Sequence, residues 1–260
     1  MDNKIFNSII ETYKNFEGVE SIAIGGSSAA NTADNSSDID IYIFTTKEIP
    51  VSEREKLVKP ISSKYEVGAE YFGSGDEYFV DKIEKQLDIM YWDKNWFEGV
   101  VENIWIKHYP SNGYTTCFLY TLKNQQILFD KNGWLQNLKE KINTNYPQEL
   151  KNNIIKRNLM LLKDKPFASY YEQIEKAIRR HDYVSINHRL AAFLASYFDI
   201  IFAKNELLHP GEKRLIQFAK NNCKILPKDF ENNINALLIQ SNPNLLNILD
   251  TMVNNLKNIL

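Results

Sequence analysis

Gly25-Gly26-Ser27-Ser28-Ala29-Ala30-Asn31-Thr32-Ala33-Asp34-Asn35-Ser36-Ser37-Asp38-Ile39-Asp40 separates two apolar runs, Ser21-Ile22-Ala23-Ile24 before it and Ile41-Tyr42-Ile43-Phe44 after it. Short β-branched and aromatic runs on either side of a stretch of small and polar residues read as strand, loop, strand. Side chains two apart on a strand share a face, so Asp38 and Asp40 point one way while Ile39, Ile41 and Ile43 point the other. Two neighbouring carboxylates repel, and a divalent cation turns that repulsion into attraction. Magnesium suits hard oxygen ligands and keeps positions for water and phosphate. Gly25 and Gly26 lack a Cβ, so their backbone N–H groups can approach a phosphate, and Ser27 adds a hydroxyl donor.

Working outward, residues 3–16 place Ile5, Phe6, Ile9, Ile10 and Tyr13 at helical spacing. Residues 50–62 read as a helix, 65–72 as a strand and Gln86-Leu87-Asp88-Ile89-Met90-Tyr91-Trp92 as another strand. From about residue 114 the strand signals fade and helical periods dominate. The longest covers about 182–204, with a Pro210-Gly211 break before a further helix and two closing helices on either side of Asn242-Pro243. The fold class expected is therefore an α/β (α+β) sheet domain over 1–110 followed by an all-helical lobe over 111–260.

The sequence has 260 residues, 43% of them hydrophobic, which is enough for a buried core. Cys117 and Cys223 form no CxxC or Cys/His cluster, which excludes a disulfide framework or structural zinc and points to a reducing compartment. No basic-then-apolar leader opens the chain and no apolar run reaches membrane-span length, so a cytoplasmic protein is expected. A net charge of −2 argues against a protein that coats nucleic acid. The charge is unevenly spread: residues 1–150 hold 15 Lys/Arg against 23 Asp/Glu, and residues 151–224 hold 14 against 7.

Strand, Gly-Gly-Ser, polar loop, then Ser-Asp-Ile-Asp with Asp38 eleven positions after Ser27 resembles the signature of the nucleotidyltransferase superfamily. That superfamily includes polymerase-β-like enzymes, tRNA nucleotidyltransferases and antibiotic-adenylylating enzymes. The resemblance implies that Gly25, Gly26 and Ser27 bind the triphosphate of a nucleoside triphosphate, and that Asp38 and Asp40 ligate magnesium. It also implies a third carboxylate on a later strand, as metal ligand or as base for the attacking hydroxyl. Asp88 is the candidate, because an ionised side chain among Leu87, Ile89, Met90, Tyr91 and Trp92 needs a partner. Glu70 and Glu84 stand in reserve. With three carboxylates, two Mg2+ ions would clamp the attacking and leaving oxygens.

A looser resemblance, to an uncharacterised nucleotidyltransferase-like family of undefined function, rests on Ile127-Leu128-Phe129-Asp130-Lys131-Asn132-Gly133, Arg180-His181-Asp182, Arg189, Asn205 and His209-Pro210-Gly211-Glu212-Lys213-Arg214-Leu215. Lys213, after the Pro-Gly break and near a helix start, is the candidate nucleotide contact from the helical lobe. Asn205 can equally cap the helix that precedes it. His209 reads as an exposed loop histidine within reach of a ligand, and Trp92, Trp96 and Trp105 as an aromatic wall for the acceptor.

The expectation is a Mg2+-dependent nucleotidyltransferase that moves a nucleoside monophosphate, AMP from ATP by resemblance, onto a hydroxyl of a small polar acceptor such as an aminoglycoside- or lincosamide-type antibiotic. Two other classes stay open: a catalytically silent nucleotide-binding or regulatory module, which needs a broken carboxylate triad, and an RNA-modifying enzyme, which needs a continuous basic track.

Overall fold

A computed structural model describes residues 3–25, 38–71, 73–164, 167–239 and 243–260. The chain divides into two compact units, one of residues 1–102 and 121–144, the other of residues 103–120 and 145–260.

The first unit is built on a six-stranded sheet in the order β3-β4-β5-β2-β1-β6. Its strands are β1 (Val19–Ile24), β2 (Ile39–Thr45), β3 (Lys64–Ala69), β4 (Gly75–Val80), β5 (Lys85–Asp93) and β6 (Gln126–Asp130). All neighbours run antiparallel except β2 and β5, which are parallel. Ile39, Ile41 and Ile43 of β2, with Leu87 and Ile89 of β5, point to one face and are buried under Phe6, Ile9, Ile10 and Tyr13. Those four come from α1 (Asn3–Lys14) at the i, i+3, i+4, i+7 spacing of a single helical stripe. Each fully buried isoleucine adds about 2 kcal/mol of apolar transfer energy. Helix α2 (Val51–Val58) covers the same face through Val58.

Strands β1, β2, β3 and β5 lie where the sequence indicates them. Strands β4 and β6 are additions. Gly75-Asp76-Glu77-Tyr78-Phe79-Val80 carries two adjacent acids that mask its strand character, and the short β6 falls where helical spacing dominates. On the other face of the sheet, α3 (Lys94–Val101) starts from Asp93, whose side chain accepts from the Trp96 N–H. The chain returns through α4 (Cys117–Asn124) to β6 and α5 (Trp134–Ile142). Asp130 fastens this corner, accepting from the Ser21 hydroxyl at 2.7 Å and from the first free N–H groups of α5 at Leu135 and Gln136.

The second unit is helical. It contains α6 (Gln148–Leu159), α7 (Tyr170–Arg179), α8 (Tyr183–Lys204), α9 (Leu215–Asn222), α10 (Phe230–Leu237) and α11 (Leu245–Lys257). Helix α8 is its axis: Phe193, Tyr197, Phe198, Ile200, Ile201 and Phe202 are buried against the helices around it. Asp182 caps the start of α8 through the Ser185 N–H, and Asn205 ends it. The Asn205 amide donates to Ile201 O and Ile225 O and accepts from Ile225 N, the capping role read from the sequence, and it also pins a distant loop. Among the described residues, no helix is long and apolar enough to cross a membrane.

Candidate active site

Register decides which side chains meet on the face opposite the α1 core. In the parallel ladder Asp40 of β2 is paired with Asp88 of β5, and in the antiparallel ladder that follows Asp88 is paired with Glu77 of β4. Glu77 is in turn paired with Glu66 of β3. Directly paired residues share a face, so Asp40, Asp88, Glu77 and Glu66 form a row of carboxylates across four strands spaced about 4.8 Å apart. Asp38 stands exposed one residue before β2 begins.

Gly25 closes the row on the β1 side. Its N–H donates to Asp40 O at 2.9 Å, extending the β1–β2 ladder to the aspartate. A Cβ at this glycine would stand 2.3 Å from Tyr42 Cε2, so the residue is glycine here to let the Tyr42 ring lie across the strand. That reason is distinct from phosphate approach and was not legible in the sequence. Gly26 and Ser27 lie outside the described residues.

Asp88 is held in place by the Gln86 side chain, whose Nε2 donates to Oδ1 at 2.9 Å from two residues earlier on the same face. Tyr42, two residues beyond Asp40, has its phenol pushed well up, first by burial and then by the Asp40 charge, with Thr121 as hydrogen-bond partner. It therefore stays neutral. Beyond Tyr42, an aromatic layer continues the face: Trp92 lies 4.6 Å from Tyr42 and stacks on Phe97 at 5.1 Å, while Phe44 packs on Phe97 and Trp134. Trp92 and Trp96 belong to this layer at 5.9 Å from each other. Trp105 does not: it is buried in the helical unit against Tyr146 at 5.5 Å.

Among the described residues, no group of three or more His, Cys, Asp or Glu converges closely enough to hold a metal ion. The carboxylates are laid out as a row. Magnesium is commonly held by one or two protein carboxylates, with substrate phosphates and water completing its shell. The Asp40–Asp88 pair, two hard anionic donors side by side in the ladder, fits that share of the coordination.

The remaining sequence candidates are dispersed. Glu84 sits in the turn before β5 with φ 50°, and Glu70 lines a cavity near the opposite ends of β2 and β5. Lys213 is exposed in the turn before α9, within the helical unit. His209 is buried, not exposed: its N–H donates to Thr116 Oγ1, its Nδ1 accepts from Gly211 N, and its ring packs on Tyr114 and Phe202. Burial pushes its imidazole down to about 4, so it is a neutral core residue. Glu77, on the other hand, joins the carboxylate row without having been disclosed by the sequence, because the strand that carries it was not recognised.

Residues 7–94 match the family described as Polymerase beta, Nucleotidyltransferase, and residues 114–215 match Domain of unknown function (DUF4037). Among curated proteins, none matches the chain. Solved structures similar to it include a nucleotidyltransferase-like protein from Exiguobacterium sibiricum 255-15, at 11% identity and TM-score 0.47, covering 97% of this chain and 72% of that one. A STING-associated CdnE c-di-GMP synthase from Capnocytophaga granulosa aligns at 14% identity and TM-score 0.28, over 99% and 78% of the two chains. The spectinomycin adenyltransferase AAD(9) from Enterococcus faecialis, with ATP and spectinomycin, aligns at 13% identity and TM-score 0.29, over 97% and 96%.

Proposed function

We propose, from the match of residues 7–94 to the family described as Polymerase beta, Nucleotidyltransferase, that the protein transfers a nucleoside monophosphate, AMP from ATP, to a hydroxyl of a small polar acceptor. The observation that carries the reading is the in-register Asp40–Asp88 pair, with Asp38 before it and the Gly25 backbone beside it. Asp38, Asp40 and Asp88 are the residues that would hold Mg2+, which when bound neutralises charge on the phosphates and on the attacking and leaving oxygens.

In the reaction the acceptor oxygen forms a bond to the α-phosphorus and the bond from that phosphorus to the bridging oxygen breaks, so pyrophosphate leaves. The hydroxyl proton passes to a carboxylate, and Asp88, which accepts from Gln86, is the one we assign to take it. Gly25, Gly26 and Ser27 are the proposed triphosphate contacts. The row continuing through Glu77 and Glu66 disfavours an RNA backbone beside the reacting groups and suits an acceptor that carries amino groups. This supports an aminoglycoside-type antibiotic as the first acceptor to try.

The test is a calorimetric titration of ATP with magnesium into the wild type and the Asp38→Asn/Asp40→Asn variant, followed by pyrophosphate release assays with an aminoglycoside, a lincosamide and RNA. Magnesium-dependent binding lost in the variant is expected. Equal heats from the two proteins, or none from either, would refute the nucleotide site, and release with RNA alone would replace the small-molecule acceptor.

A further inference from the structure

A cavity of about 290 Å³ opens in the sheet unit near the C-terminal ends of β2 and β5, away from the carboxylate row. Thr45, at its wall, follows Asp40 by five residues, or about 17 Å of strand. Alternation puts Thr45 on the face of Ile39, Ile41 and Ile43, whereas Asp40 is on the other. The cavity is therefore separate from the candidate active site in both position and face.

Its floor is charged and buried. The Arg54 guanidinium is only 2% exposed and lies over the Tyr91 ring at 4.6 Å. Its Nη1 donates to Asp76 Oδ1 at 2.7 Å, while its buried Nε has no hydrogen-bond partner among the described residues. Asp76 is fully engaged, since Tyr91 OH and Gly68 N also donate to it. A buried guanidinium N–H without an acceptor is costly, and an acceptor arriving from the cavity would relieve that cost. At the rim, Glu48 and Glu70 are exposed carboxylates without an ion-pair partner among the described residues, and Lys47 is engaged with Glu17. Ser74 and Thr45 add hydroxyls.

One donor at the floor and carboxylates at the rim disfavour a polyanion. They match a small molecule with a carboxylate at one end and an ammonium at the other. The volume lies near the lower end of small-molecule sites, about 300 Å³. We propose that this cavity binds a free α-amino acid, its carboxylate accepting from Arg54 and its ammonium facing Glu48 and Glu70.

The experiment measures thermal shift and calorimetric binding of each standard L-amino acid to the whole chain at about 10 mM, well above a dissociation constant of about 1 mM. For those that bind, it repeats the measurement with the amine lacking the carboxylate and the acid lacking the amine. At least one amino acid should bind, with each one-charge analogue weaker by about tenfold or more. Glu48→Gln/Glu70→Gln, two exposed positions, should weaken the amino acid by a similar factor, and Asp40→Asn should leave its affinity unchanged. No binding by any amino acid, equal binding of the deaminated acid, or full affinity in the double glutamine variant would overturn the proposal. Loss of binding in Asp40→Asn would overturn the separation from the candidate active site.

Discussion

Asp40 and Asp88 are direct partners in the only parallel pairing of the described sheet, two carboxylates on one face. Like charges directly opposite each other in a sheet destabilise it by a few tenths of a kcal/mol to about 1 kcal/mol. Asp88→Asn should therefore raise the stability of the metal-free protein by about 0.5 kcal/mol in urea unfolding. It should also remove magnesium-dependent stabilisation and lower nucleotidyl transfer by at least about 100-fold. A variant that loses activity and stability together would show Asp88 to be a structural residue.

Gly25 separates two explanations of a glycine in a phosphate-loop motif. With a Cβ 2.3 Å from Tyr42 Cε2, Gly25→Ala forces the ring aside and should cost about 1–3 kcal/mol, as overpacking does. Tyr42→Leu in the same chain should restore most of that stability, because the obstruction is the ring. If Gly25→Ala is as stable as the wild type but binds ATP more weakly, phosphate approach is the reason for the glycine.

The strands that could be read directly are those whose apolar residues alternate without interruption, β2 and β5 above all. β4 could not be read, because Asp76 looks like a loop residue until Arg54, Gly68 and Tyr91 are brought to it by the fold. Missing β4 hid Glu77, which only register connects to Asp88. In both units, residues of the segments that resemble a family of undefined function serve as turn and cap positions. Asn132 and Gly133 adopt φ 59° and 69° between β6 and α5, Asp130 receives the α5 N–H groups, and Asp182 caps α8. Turn and cap geometry accounts for these residue types, and Lys213 is not among them.

The Arg54–Asp76 pair is a buried ion pair, 2% and 0% exposed. Burial pushes the Asp76 carboxyl up, while its bonds to Tyr91, Gly68 and Arg54 pull it down. Breaking such a pair from one side leaves an uncompensated charge and costs about 3–5 kcal/mol. Asp76→Leu alone should show that loss in urea unfolding. Arg54→Leu/Asp76→Leu should recover much of it, and a double variant as unstable as the single would mean that shape and not charge is at issue.

The helical unit contains two buried titrating groups with opposite dependence on pH. Asp199 of α8 accepts from Thr115 N, Thr115 Oγ1 and Asn158 Nδ2, yet burial outweighs these bonds and raises its carboxyl from 3.8 to about 7. Between those values the unfolded chain has released a proton that the folded chain keeps, so this group makes stability fall as pH rises, with the full penalty above pH 7. For His209 the shift is from 6.5 down to about 4, so the unfolded chain takes up a proton that the folded chain refuses and stability falls as pH drops through that window. The two slopes oppose each other where the windows overlap, and wild type should show little net dependence from this pair there. Asp199→Asn should gain relative to wild type as pH rises from about 4 to 7, by up to about 4 kcal/mol. His209→Phe should gain as pH falls from about 6.5 to 4, by up to about 3 kcal/mol. Hydrogen exchange of the α8 amides, read as the variant-minus-wild-type difference across this range, isolates each slope from the constant cost of the lost hydrogen bonds. A difference that stays flat with pH for either variant would mean that its side chain titrates in the folded protein as it does in water.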